Sequence, residues 1–289
     1  MWLPYLWLLV LFLAPFVLVA KLSFSQTAIA LPPYLPVFTL GEGPAGWWAD
    51  VQRFTTDNYA FVTEDSLYRN AYLSSLWIAT LSTLITLAVG FPLAYGMARA
   101  PHGLRAILLM LVILPFWTSF LIRVYAWIGI LKKEGLANQF LLWLGVISEP
   151  LTLLNTNLAV YIGIVYSYLP FMVLPLYASL ERQDPTLLEA ASDLGASRFT
   201  AFWTVTWPLA RPGVIAGCLL VFIPAVGEFV IPSLLGGSDT LMIGRTLFDE
   251  FFKNRDWPIS SVVAVLLLLV LIVPIMLFQR SQAKAQEAG

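Results

Sequence analysis

Two ionisable residues lie inside apolar sequence: Arg123 in ILPFWTSFLIRVYAW and Glu228 in FIPAVGEFVIPSLLGG. A charge at the centre of a lipid-embedded helix costs at least about 2.5–3.5 kcal/mol, so it must face protein, water or another charge. Arg123 precedes Lys132 by nine residues and Glu228 precedes Gly236 by eight. At the helical rise these offsets are about 13 and 12 Å, so two helices running the same way would hold both charges at one depth. Two uses are open. The charges can stabilise a bundle as an ion pair or hydrogen-bonded network, the reading that suits Arg123 better. Alternatively, Glu228 lies on a path and accepts a cation, with Pro224, Gly227 and Pro232 opening its helix and freeing carbonyls, as at transporter sites. Aromatic faces attract cations by about 0.5–2 kcal/mol, which adds Trp117, Tyr125 and Tyr166 to the pathway candidates. Trp127 and Tyr168 rank below them, nearer span edges or packing faces.

Other chemistry has little to work with. His102 is the only histidine, in the loop RAPHGLR, and Cys218 is the only cysteine, in an apolar run. No intrachain disulfide or cysteine-based metal site can be built from them. A membrane-embedded enzyme would need clusters of such residues. The phosphate loop Gly-x4-Gly-Lys-Ser/Thr is absent from the sequence, so this chain cannot itself hydrolyse ATP in that manner.

The elements that must position these residues are membrane helices. Of 289 residues, 59% are hydrophobic and 11% charged, against about 25% charged in soluble domains. The net charge of −1 offers no basic field for nucleic acid. A span needs about 20 mainly apolar residues. Six runs qualify, at 2–20, 71–98, 106–131, 157–180, 214–235 and 259–278. The first is read as a retained helix and not a signal peptide, because its apolar run is long and no positive residue precedes it. Prolines recur inside the runs, at 92, 115, 170, 175, 224 and 274. In lipid such breaks need neighbouring helices or water to satisfy the freed carbonyls, which implies a packed bundle. The expected division is a first helix with its loop (1–70), a five-helix core (71–278) and a polar tail (279–289). Six spans put both termini on one side with the connections 99–105 and 181–213. Lys and Arg divide almost evenly between the two sides, so the positive-inside rule does not orient the chain.

The connection 181–213 is unusually polar and punctuated. Asp184-Pro185 suits a helix start. Leu187, Ala191 and Leu194 recur on one face, with Leu188 beside them. Gly195 suits a stop that needs positive φ. Ser197 can cap a second short helix carrying Phe199, Phe202 and Trp203, which Pro208 and Pro212-Gly213 are expected to end. An amphipathic loop lying on the membrane surface and a docking element for a soluble partner are both compatible with this pattern.

EAASDLG, then nine residues, then VTWP, resembles the EAA loop of ABC importer permeases of the type I fold. Glu189, Ala190, Ala191, Gly195, Val205 and Pro208 fall on the motif; Val205 stands for its Ile and Trp207 for its Leu. ILPFWTSFLIRVYAW, NLAVYIGIVYSYLPFMVLPLY, FIPAVGEFVIPSLLGG and NRDWP further resemble the polyamine branch, putrescine permeases in particular. The resemblance implies an all-α permease with six transmembrane helices in a bacterial inner membrane, both termini cytoplasmic. It implies that Glu189, Ala190, Ala191, Gly195 and Pro208 form a coupling helix gripped by a cytosolic ATPase, with Glu189 fixing the elbow through hydrogen bonds. The implied partners are a second related permease, two ATPase subunits that bind ATP and magnesium, a periplasmic binding protein and the lipid bilayer. This chain needs no cofactor of its own. The implied cargo is putrescine, with spermidine the main alternative. An ion-coupled secondary transporter would predict inverted repeats and several paired intramembrane carboxylates; one carboxylate and no repeat argue against it. Gly195→Asp is expected to uncouple ATP hydrolysis from uptake without loss of membrane abundance, as checked by paired ATPase and uptake assays; wild-type uptake would count against docking.

Overall fold

The computed structural model describes residues 2–37 and 43–287. Helices dominate. In chain order they are α1 (Trp2–Ser23), α2 (Gly43–Val51), α3 (Asp57–Glu64), α4 (Ser66–Arg99), α5 (His102–Ile113), α6 (Phe120–Leu131), α7 (Leu136–Trp143), α8 (Asn157–Glu181), α9 (Thr186–Asp193), α10 (Arg198–Ala201), α11 (Trp207–Val226), α12 (Val230–Leu235), α13 (Ile243–Phe248) and α14 (Trp257–Glu287). Two short strands, β1 (Gln26–Thr27) and β2 (Tyr34–Leu35), pair antiparallel. Among the described residues, five helices are long and apolar enough to span a membrane, and six spans result if one bent pair counts as a single crossing.

That bent pair corrects the expected third span at 106–131. Residues His102–Trp117 and Phe120–Trp143 meet at 89°. Pro115 has no N–H to continue the helix, Leu114–Trp117 tighten into a 3-10 turn, and Thr118 and Ser119 are extended. The apolar run concealed a break made by the polar pair Thr-Ser. The fifth run, 214–235, is also not one helix. α11 ends at Val226 and α12 starts at Val230, the opening that Pro224 and Gly227 led us to expect. Its start is earlier than expected. Pro208 and Pro212 do not end the second elbow helix; α10 passes through a π turn (Phe202–Thr206) into α11. Pro208 is the second residue of α11, directly after the π turn. The second span starts at Ser66, before residue 71. The connection 132–156 holds α7 and is fastened by buried Asn138, which donates to Leu151 O and accepts from its N–H, both at 2.9 Å. The tail continues α14 to Glu287, and residues 288 and 289 lie outside the described residues.

The chain forms two compact units. One takes residues up to Ser74 together with Leu241–Val273; the other runs from Ser75 to Thr240 and resumes at Pro274. In the first, Val62, Tyr68, Ala71, Ile243, Ile259, Val262 and Val263 make an apolar core. Tyr72 OH satisfies Val263 O at 2.6 Å. The second is built around α8 and α11. Thr156 caps α8 by accepting from Ala159 N–H at 3.3 Å. Met172, Val173, Leu176 and Val221 are fully buried in its core, with Phe91 and Ala94 of α4.

Close approach of α8 and α11 depends on glycine. A Cβ on Gly213 would lie 2.6 Å from both Pro175 O and Ser179 Cβ, and one on Gly217 would lie 2.7 Å from Met172 Sδ and a looser 3.1 Å from Met172 O. Small residues of this kind let membrane helices pack backbone to backbone. A backbone carbonyl cannot yield, whereas the end of a methionine can. Gly213→Ala should therefore destabilise the detergent-solubilised protein by about 1–3 kcal/mol, the usual cost of overpacking, and Gly217→Ala by less, read as two unequal shifts in thermal unfolding.

Candidate functional site

The elbow forms as its turn chemistry requires. Asp184 Oδ1 accepts the Thr186 N–H at 2.9 Å and starts α9. The Thr186 backbone and side chain hold the Asp184 carboxyl below its ordinary range. The sign follows: this carboxylate favours the folded elbow above the ordinary carboxylate range, and the benefit fades as acid protonates it. Gly195 takes φ +83°. Its N–H and that of Ala196 close the helix end onto Ser192 O and Ala191 O at 2.9 and 3.0 Å. Ser197 then caps α10 by accepting from Thr200 N–H at 3.2 Å.

Glu189 and Ala190 are exposed and Ala191 is half-buried. Glu189 does not fix the elbow: among the described residues its side chain makes no hydrogen bond or ion pair. It sits on the outer face of α9, away from the chain's own donors. Other residues hold the base. Gln183 Nε2 donates to Thr206 O at 3.1 Å, joining the start of the elbow to its end, and Ser179 Oγ donates to Leu209 O at 3.2 Å. At the end of α8, Glu181 accepts from Tyr177 OH at 2.7 Å and pairs with Arg105 at 3.4 Å. Phe202 packs edge-on to Phe91 at 5.6 Å and Trp207 packs against the same ring. The apolar face of α9 is left open: Leu187 is 45% and Leu194 89% exposed.

Toward the other ends of α8 and α11 lies a cavity of about 470 Å³. Phe116, Phe120, Arg123, Ser167, Tyr168, Phe171, Pro224, Gly227, Glu228, Phe229 and Val230 line it. Glu228, 7% exposed, sits in the break between α11 and α12. Its Oε1 accepts from Val230 N–H at 3.0 Å and Ile231 N–H at 3.3 Å, and its Oε2 accepts from Tyr168 OH. Three of roughly four lone-pair sites are thereby used. Arg123 donates from Nη1 to Pro115 O at 2.7 Å, across the bend. Its guanidinium lies over the Phe116 and Phe120 rings. The two charges face one cavity but form no ion pair among the described residues.

Of the five pathway candidates, Arg123 and Glu228 are thus brought together. Trp117, 78% exposed, and Tyr125, 58% exposed, do not line the cavity. Tyr166 packs edge-on to Trp127 at 5.4 Å. Tyr168, ranked low from sequence, is instead the hydrogen-bond partner of Glu228, and Ser167, Phe116, Phe120 and Phe171 complete the wall. Spacing held a signal: Phe120 and Arg123 are three apart and Ser167 and Phe171 four apart, so each pair shares a helix face.

The family model "Binding-protein-dependent transport system inner membrane component" matches residues 88–287. The chain belongs to this family. The spermidine/putrescine transport system permease protein PotB of Escherichia coli is 46% identical over 228 residues, covering 79% of this chain and 82% of that one. The inner membrane ABC transporter permease protein YdcU of the same organism is 35% identical over 65% of this chain and 64% of its own length. Among solved structures, a bacterial ABC transporter importing the acidic polysaccharide alginate aligns at TM-score 0.68 and 17% identity, covering 96% of this chain and 93% of that one. The MetNI methionine ABC transporter aligns at 0.56 and 17%, covering 74% and 94%. At those identities the likeness is one of fold: the chain is an inner-membrane, multi-pass permease of the type I ABC importer class.

In the permease, Tyr168 supplies the side-chain donor to a buried carboxylate. Tyr168→Phe leaves Glu228 Oε2 without it and should lower stability by about 1–3 kcal/mol, measured by thermal unfolding in detergent beside wild type.

Proposed function

We propose that this permease forms half of the path by which a polyamine, putrescine first and spermidine as the nearest alternative, passes from periplasm to cytoplasm. The observation that carries this reading is the buried Glu228 carboxylate on an aromatic-lined cavity. It is anchored by three hydrogen bonds, and among the described residues no basic side chain pairs with it. A primary ammonium is the complement of such a wall: the carboxylate supplies countercharge and the rings supply quadrupole attraction. The name carried by the spermidine/putrescine permease relatives supports the same substrate class.

The rest of the assembly follows from the elbow. The exposed surface of α9, with Glu189, Ala190 and Ala191 and the bend at Gly195, is the part a cytosolic ATPase grips, and Pro208 lies in the first turn of the helix that receives the motion. On this reading both termini and the elbow lie in the cytoplasm. A second related permease completes the path, two ATPase chains bind ATP and magnesium, and a periplasmic binding protein delivers the substrate. Transport proceeds by alternating access.

The test is uptake of labelled putrescine and spermidine by the reconstituted complex, with ATP inside and loaded binding protein outside. Glu228→Gln keeps an oxygen for the Val230 and Ile231 N–H groups but loses the charge. Its membrane abundance should match wild type while uptake falls by about ten-fold or more, about 1.4 kcal/mol of lost recognition. Normal uptake by that variant would remove Glu228 from the path. Uptake indifferent to ATP would remove the ATPase from the account.

A further inference from the structure

The cavity already contains a cation of its own. The guanidinium carbon of Arg123 lies 4.9 Å from the Phe116 ring centre and 5.8 Å from that of Phe120, within the range at which a ring face holds a cation. Nη1 takes Pro115 O at 2.7 Å. The rest of its coordination is poor, because Nε is buried with no hydrogen-bond partner. The same cavity wall holds a second orphan, the Oγ of Ser167, on a residue 3% exposed. Buried polar atoms left unpaired are uncommon and costly, and each asks for an explanation.

The two orphans have complementary explanations. An ammonium has three donors, and Ser167 Oγ and Glu228 can accept from it. It would satisfy the serine that Arg123 leaves unpaired. Arg123 cannot stay beside it, since two like charges in one low-dielectric cavity repel. Its Nε, unsatisfied where it lies, makes departure easier.

Resting on the reading that the cavity passes a cationic substrate, we propose that Arg123 is a resident cation that occupies the Phe116–Phe120 wall until a substrate ammonium displaces it. Departure also breaks the Nη1–Pro115 bond. That bond staples the 3-10 turn at the 89° bend to α6, so substrate entry loosens the bend. Arg123 is in this account a specificity and gating residue: an uncharged solute has no means to expel it.

The test uses the purified permease–ATPase complex in nanodiscs. Arg123→Gln should bind labelled putrescine about ten-fold more tightly than wild type, the competing charge being gone. Guanidinium chloride at millimolar concentration should compete with putrescine in that variant and not in wild type, where the seat is taken. Equal or weaker putrescine binding by a variant that matches wild type in size-exclusion profile and thermal unfolding would overturn the proposal. A second measurement does not depend on that variant folding. Spin labels at Leu111→Cys and Ile122→Cys, with Cys218→Ala, report the bend while Arg123 is intact. Their separation should change when loaded binding protein and ATP-vanadate trap the complex, and an unchanged distance would equally overturn the proposal. Wild-type uptake is run alongside. If it is normal and Arg123→Gln binds no tighter, the resident-cation idea alone fails; if wild type takes up neither polyamine, the substrate reading fails and carries this one with it.

Discussion

A membrane helix that must open in its middle exposes backbone donors where water cannot reach them, and something in the chain has to accept those bonds. Here the acceptor is Glu228. The span that begins with α11 stops at Val226, and the N–H groups that open α12, of Val230 and Ile231, are taken by its carboxylate. Tyr168 of α8 supplies a third bond. A single side chain therefore caps α12, ties it to a neighbouring helix and keeps a negative charge at a cavity wall. The structural and functional readings of this residue are two consequences of one geometry.

The same logic recurs at the other break. Between α5 and α6 the carbonyl of Pro115 accepts from Thr118 Oγ1 at 2.8 Å and from Arg123 at 2.7 Å. These two helix breaks are thus each satisfied by a charged side chain, one of each sign, and both side chains line one cavity. Placing them on the breaks puts ionisable groups where helix geometry is least rigid, which is where a path that opens and closes needs them.

Elbow and cavity are joined by α8 and α11. Tyr168 and Gln183 lie on α8 or just beyond it, fifteen residues and about 22 Å of helix apart. Gly213 and Gly217 let α11 lie against α8 too closely for independent sliding. Force applied to α9 reaches the base of both helices through the Gln183–Thr206 and Ser179–Leu209 bonds. Close-packed helices pass such displacement along instead of absorbing it. This continuity connects the elbow to a cavity wall without a further device.

Local chemistry decided much of this protein in advance. Apolar run length made it a helical membrane protein, and residue type placed the turn at Gly195, the cap at Ser197 and the opening at Gly227. Each depends on a few adjacent residues, so one sequence suffices to read it. Contacts between distant segments were not readable in that way. Tyr168 looked like packing because its partner is 60 residues away. Pro208 and Pro212 looked like stops, yet the helix runs on through a π turn into α11, with Phe202 and Trp207 packed on Phe91 of α4. Glu189 looked like an internal brace, yet it faces outward, because which face of α9 is covered depends on where the chain folds back. The bend at Thr118–Ser119 was hidden inside an apolar run, where hydropathy is blind to backbone direction. Tertiary structure alone set Arg123 and Glu228 against one cavity without pairing them, because the distance between two side chains on separate helices is fixed by how those helices pack and not by the order of residues along either.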